Sequence, residues 1–142
     1  MRVFEGLKVL DLASYIAGPG AATILADFGA DVLKIEPPGG DGFRMIHRNP
    51  NLAYSEHDYL WMQVARSRRG LALDLKQPEA QAVLHRLVPQ ADVLITNHPL
   101  PLRARLGLDW ARLEPLNPGL IYASLTGYGE TEIGRASCRE RV

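Results

Sequence analysis

Apolar positions along this chain fall into short runs separated by longer stretches with apolar residues three and four apart. Leu7 to Leu12, Asp31 to Ile35, Gly70 to Leu75, Ala91 to Thr96 and Leu120 to Leu125 read as strands, being short, apolar or β-branched and bounded by turn residues. After the first strand, Gly18-Pro19 turns the chain into a helix. Ala21, Ile24, Leu25 and Phe28 recur at helical spacing along it and predict its apolar face, and Gly29 supplies the C-terminal cap. Pro78 opens the clearest helix, with Ala80, Val83, Leu84, Leu87 and Val88 on one face, His85 on the opposite wet face, and Pro89 as its stop. Pro37-Pro38-Gly39-Gly40 breaks the chain after the second strand. From Asp41 to Tyr59 no period holds, which predicts a long loop or lid with at most a short helical turn. Asn97 to Pro101 reads as a loop, Leu102 to Leu106 as one helical turn ended at Gly107, and Trp110 to Leu116 as a short helix capped by Asp109.

Strands alternating with helices predict an α/β fold: a Rossmann-like, mostly parallel sheet with helices on both faces. Ligands of such sheets lie outside the carboxyl ends of the strands. Those ends are Leu12 to Ala17, Glu36 to Arg44, Asp74 to Lys76, Thr96 to Pro99 and Thr126 to Gly129, so strand order alone assembles a candidate site.

Composition narrows the chemistry. A length of 142 residues with 46% hydrophobic and 23% charged residues fits one ordinary globular core. Sixteen basic residues balance sixteen acidic ones, so no global field attracts nucleic acid or an anionic membrane, and any anion site has to be local. No apolar run reaches membrane-spanning length, and Met1 is followed by no signal-peptide segment; a cytoplasmic protein is expected. The single cysteine, Cys138, excludes an internal disulfide framework, and His47, His57, His85 and His98 lack ligand spacing, so no metal is expected.

The stretch Tyr15 to Glu36 has the outline of a dinucleotide fingerprint, with glycines after a strand, a helix, a second strand and a closing acid at a plausible ribose-binding distance. Its details argue against nicotinamide. Ser14 to Ala17 intervene between the strand and Gly18, Thr23 occupies the third small position, and Pro19 removes an N–H from the group that would cradle a pyrophosphate.

Six blocks in order, "LKVLDLASYIAGP", "LADFGADVLKIEPPGGD", "RSRRGLALDLKQPE", "ADVLITNHPLP", "RLGLDW" and "LNPGLIYASLTGYG", resemble the amino-terminal part of the class III coenzyme A (CoA) transferases. That family includes formyl-CoA transferases, carnitine-CoA transferases and α-methylacyl-CoA racemases. The resemblance covers about residues 3 to 130 and implies that residues 1–130 are the amino-terminal part of a CoA-binding large domain, in a family of interlocked homodimers. It implies CoA transfer between an acyl-CoA donor and a carboxylate acceptor through an aspartyl-CoA intermediate, with transferase favoured over racemase and the acyl group not readable; the alternative of another class is a non-catalytic nucleotide- or CoA-binding module. The family's nucleophilic aspartate lies downstream of these residues. No catalytic residue is therefore assigned, and the chain is expected to be inactive alone.

By the same resemblance, Ile16 and Ala17 lie in the turn against the coenzyme, and Leu73, Asp74 and Lys76 at the strand end near its adenine. Asn97 and His98 fall in the loop after the fourth strand, and Arg105 matches an arginine on a CoA phosphate, a role that suits its planar fork. For His98 the alternative is a plain loop histidine. Ser14 and Ile16 stand where formyl-CoA transferases carry histidine and glutamine, and Pro37 where they carry arginine, so formate and oxalate are not expected substrates. Arg44 is the candidate replacement for that cation if the Gly39 to Phe43 loop folds back. Arg66, Arg68 and Arg69 read first as a solvated cluster, with phosphate contact as the alternative; Asp11 and Asp74 read as partnered structural groups.

Residues 131–142, ending "SCRERV", match no block and show no period. They are expected to be a cloning, frameshift or assembly artefact on a truncated chain. An uninterrupted genomic reading frame through Val142 would overturn that.

Overall fold

The computed structural model describes residues 2–127 and 129–130; the expectation for residues 131–142 lies outside them. The five strands are β1 (Lys8–Asp11), β2 (Asp31–Glu36), β3 (Arg69–Ala72), β4 (Val93–Thr96) and β5 (Ile121–Ser124). All pair in parallel in the order β3-β2-β1-β4-β5, the doubly wound arrangement expected from the alternation of elements. The helices are α1 (Ala17–Asp27), α2 (Tyr59–Ala65), α3 (Pro78–Leu87), α4 (Leu100–Leu106) and α5 (Trp110–Leu113). None is long and apolar enough to cross a membrane.

Because side chains alternate along a strand, the sheet builds two cores. Leu10, Leu12, Ile35 and Leu94 point to one face and meet Leu84, Val88, Leu106, Leu108 and Leu113 from the later helices. Val9, Val32, Val93 and Ile95 point to the other and meet Ala22 and Ala26 of α1. A helix on each face explains why central strands read as continuous apolar runs.

Four local expectations need correction. On α1 the buried residues are Gly18, Pro19, Ala22, Thr23 and Ala26, while Ile24 and Phe28 are 57% and 52% exposed. The small-residue face wins because it lets the helix axis come close to the sheet; the periodic large residues point outward. Tyr59 begins a helix rather than ending a loop: Asp58 caps α2 by accepting the Trp61 N–H at 3.1 Å, and Gly42–Arg48 forms a 3₁₀ segment longer than the single turn expected. The His85 ring is half-buried, with Nε2 3.0 Å from the Gly107 carbonyl, because α4 folds back over α3. Asp109 precedes α5, which ends at Leu113, but its side chain does not cap; it pairs with Arg112 at 3.3 Å.

Candidate functional site

The carboxyl ends of β1, β2 and β4 converge, and side chains lock their loops together. Ser14, just past β1, donates its N–H to Asn97 Oδ1 at 2.8 Å and accepts from Asn97 Nδ2 at 2.9 Å. The amide of Asn97 thus clamps one peptide unit from both sides. The next residue, Tyr15, has a left-handed backbone with φ of 66°, uncommon for a residue with a Cβ, and its N–H is held by Asp41 Oδ1 at 3.2 Å. The same carboxylate oxygen accepts the Phe43 N–H at 2.9 Å. The Tyr15 ring packs edge-on against Phe43, and its hydroxyl would lie 3.1 Å from a Cβ added to Gly42, a tight contact. The turn that carries Ile16 and Ala17 is therefore set by residues 26 and 83 positions away in sequence.

Beneath this turn lies a buried ionic cluster. Parallel register sets Asp11 opposite Lys34 on the α1 face of the sheet. The Lys34 ammonium, 2% exposed, is 3.7 Å from Asp11 and 3.3 Å from Asp41 and donates to the Ala13 carbonyl. Arg68 closes the cluster from the connection after α2, pairing with Asp11 and donating to Thr23 and to the Pro19 carbonyl. Burial pushes the Asp11 carboxyl above its ordinary value, against the pull of Lys34 and Arg68. The cluster is structural in position: it ties β1, β2, α1 and the Asp41 loop into one unit.

Asn97 is the residue most exposed to test. Asn97→Ala removes both bonds to Ser14 and is expected to cost about 1–3 kcal/mol in urea unfolding. Asn97→Asp keeps the acceptor for the Ser14 N–H and should fall between alanine and wild type; equal effects of both would argue against the clamp.

The other site residues disperse. Ile16 is half exposed and Ala17 exposed, at the start of α1. His98 is half-buried, its Nδ1 3.1 Å from Thr96 Oγ1; burial, then Lys34 and Arg103, lower its pKa, so it is neutral at pH 7. Leu73 packs on the core formed by the later helices, and Lys76 is exposed. Asp74 is spent on the turn into α3, accepting the Lys76 N–H at 3.2 Å and Gln77 Nε2 at 3.3 Å. Arg105 is exposed in the last turn of α4, and among the described residues its guanidinium has no hydrogen-bond partner. Of the basic cluster, Arg66 and Arg69 lie at the surface, paired with Asp27 and Asp31, but Arg68 is only 3% exposed and paired with Asp11, so the expectation of a solvated cluster is corrected for Arg68.

The Gly39 to Phe43 loop does fold back. It returns Arg44 to the end of β2, where Nε and Nη2 hold the two oxygens of Glu36 at 2.8 and 2.6 Å. The guanidinium lies over the Trp61 ring, 4.1 Å from its centroid. Burial raises the Glu36 carboxyl, but the bonds from Arg44 and from the Asp41 N–H outweigh it and the net pKa is lowered. Beside this pair an open groove of about 460 Å³ runs between Pro38, Gly39 and Arg44 on one side and Leu71 and Ala72 on the other.

Lys34, Asp41 and Trp61 are not among the candidates named from the sequence, and Arg68 is named there only as part of a solvated cluster. A lysine at the centre of "VLKIE" was the available signal, because a charge inside a strand covered on both faces must have a buried partner.

Comparison with known proteins agrees with this architecture. The chain is 40% identical over 131 residues to a succinyl-CoA–D-citramalate CoA-transferase of Chloroflexus aurantiacus, covering 92% of this chain and 32% of that one. It is 43% identical over 132 residues to a succinate–glutarate CoA-transferase of Agrobacterium fabrum, covering 89% and 33%. The chain thus spans about a third of the length of the curated relatives it matches. A crystal structure of a CAIB/BAIF family protein from Brucella suis superposes with a TM-score of 0.82 at 38% identity, over 92% of this chain and 35% of that one. The family model for CoA-transferase family III matches residues 4–139, and the chain belongs to that family.

Proposed function

We propose that this chain is the CoA-binding portion of an acyl-CoA transferase that moves CoA between an acyl-CoA donor and a carboxylate acceptor. The chemistry implied by family membership is covalent. A carboxylate attacks the thioester carbonyl and expels the CoA thiolate, giving an acyl anhydride. The thiolate then attacks the enzyme's carbonyl of that anhydride, releasing the donor acid and leaving an aspartyl-CoA thioester, and the acceptor carboxylate runs the sequence in reverse. These residues would bind and orient CoA; the nucleophilic aspartate would come from elsewhere in the protein.

The observation that carries the reading is the strand-end crevice itself. Its turn at Ser14 to Ala17 is braced by Asn97 and Asp41, the groove at the ends of β2 and β3 opens beside it, and Arg105 has an exposed guanidinium for a phosphate. The neutral His98 adds a group with no charge to repel or attract at the β4 end. Exposed Val3, Ile24 and Phe28 support burial of the outer α1 surface in a homodimer, as the family resemblance implies.

Thermal unfolding with CoA, and with NAD as control, tests the proposal. At a CoA concentration a hundredfold above its dissociation constant, the folded chain should gain about 2.7 kcal/mol and its midpoint should rise. A rise with NAD and none with CoA would sink the reading. The isolated chain should show no CoA transfer from an acyl-CoA to a carboxylate, and measured turnover would refute the assignment of the nucleophile to another part of the protein.

A further inference from the structure

The loop after β4 is fixed at residue 98 through its backbone. The His98 N–H donates to Thr96 Oγ1 at 3.3 Å, and the His98 carbonyl accepts from Arg103 Nε at 2.6 Å. Arg103 is itself only 2% exposed and is held by Glu130 Oε1 at 2.6 Å. On the other side, Asn97 clamps Ser14. The imidazole is thus carried by a loop braced on both sides, one residue from the clamp on the β1 turn.

Which ring nitrogen carries the proton follows from counting donors. A threonine hydroxyl has one hydrogen to give and two lone pairs with which to accept. Thr96 is fully buried, and among the described residues its Oγ1 meets two groups: the His98 N–H, which takes one lone pair, and His98 Nδ1 at 3.1 Å. A proton on Nδ1 would fill the second lone pair and leave the hydroxyl hydrogen buried without an acceptor, a loss that folded proteins avoid. A bare Nδ1 accepts that hydrogen instead, and every group is paired. The ring, kept neutral by burial and by the charges of Lys34 and Arg103, then holds its proton on Nε2. Nε2 makes no hydrogen bond among the described residues, and the side chain is only half-buried.

This tautomer decides what the ring can do. Racemisation removes a proton from the carbon next to the thioester carbonyl, and the base for that step needs a bare nitrogen facing the substrate. His98 gives its bare nitrogen to Thr96 and keeps an N–H on the opposite side of the ring. An N–H is the group that a carbonyl oxygen needs, above all when negative charge grows on it during attack by a carboxylate.

We infer that His98 is a hydrogen-bond donor to a carbonyl oxygen of the acyl-CoA, locked in the Nε2–H tautomer by Thr96 and so unable to act as a base. This rests on the acyl-CoA reading above and adds to it a role that suits transfer rather than racemisation. The thioester carbonyl and the amide carbonyls of the pantetheine arm share this chemistry, so free CoA and acetyl-CoA are compared.

Long-range proton–nitrogen correlation spectra of the isotope-labelled chain at pH 7 test the tautomer, with His98→Phe identifying the resonances. Wild type should show a protonated Nε2 and a bare Nδ1. Thr96→Val fills the same space without the hydroxyl and should let both tautomers appear, while Thr96→Ser should restore the lock. A wild-type ring protonated on Nδ1, or a lock that survives in Thr96→Val, would overturn the inference. On titration with acetyl-CoA the Nε2–H signal should move. His98→Phe keeps both backbone bonds of residue 98 and should bind acetyl-CoA about two- to tenfold more weakly, the scale of one hydrogen bond. Movement with acetyl-CoA alone assigns the thioester carbonyl as the acceptor, and movement with free CoA as well assigns an amide; both support the donor role. Binding that leaves the Nε2–H signal in place and is as tight in His98→Phe would overturn that role and leave the CoA reading standing. No binding of either ligand to a cooperatively folding wild type would overturn both.

Discussion

Replacing Lys34 by methionine is expected to cost about 3–5 kcal/mol, the loss seen when one partner of a buried ionic group is removed. Methionine fills nearly the same space, so the loss is electrostatic. Asp11 would keep Arg68, but Asp41 Oδ2 makes no hydrogen bond among the described residues and has Lys34 as its ion-pair partner at 3.3 Å. It would be left as a buried, uncompensated oxygen. Against a total of about 5–15 kcal/mol for an ordinary domain, this is a large share of the margin. Urea unfolding of wild type, Lys34→Met and the double variant Lys34→Met with Asp41→Asn measures it, and the double variant should recover part of the loss by neutralising the orphaned carboxylate. A single-variant loss under about 1 kcal/mol would mean the cluster contributes only register and position. Because Asp41 Oδ1 also holds the Tyr15 and Phe43 N–H groups, CoA affinity should fall along with stability.

Gly18→Ala should destabilise the chain although helix propensity predicts the reverse. Alanine is favoured over glycine by about 1 kcal/mol inside a helix, and Gly18 lies in the first turn of α1. The contact decides the sign. A Cβ at Gly18 would overlap the Cβ of Ala13, which is fully buried, and would lie 3.6 Å from Ile95 Cγ2. The helix would have to lift off the sheet, an overpacking cost of about 1–3 kcal/mol. Adding Ala13→Gly removes the overlapped atom and should restore stability in the double variant, leaving the propensity gain visible. Failure of that rescue would show that the close approach of α1 is not what requires glycine.

The alternation of short apolar runs with helical spacings carried the strand order's ingredients, and every expected strand is present, trimmed or shifted by up to three residues. The pattern could not say which face of α1 is buried, because periodicity finds large apolar residues and the closest helix–sheet contacts use small ones. That is why Ala21, Ile24 and Phe28 point outward and Leu25 packs only at the margin of the core, while Gly18, Ala22 and Ala26 make the interface. For the same reason α2 was missed: it buries no residue fully and holds its place through Asp58 and Trp61 rather than through an apolar stripe.

The site divides along a similar line. Family motifs legible in the chain located the turn at Ile16 and Ala17, the loop at Asn97 and His98, and Arg105, since a ligand crevice in this fold must lie where strands end. The sequence by itself thus determined the fold class, the family and the edge of the sheet at which a ligand can sit. Only the tertiary structure decided what each group does there. Asn97 turns inward to Ser14, Asp74 caps a turn, and Arg66, Arg68 and Arg69 each find a carboxylate. Arg44 leaves its loop to occupy both oxygens of Glu36. Hydrogen-bonding groups are assigned by proximity in three dimensions, and the Ser14–Asn97 pair is separated by 83 positions that no local pattern spans.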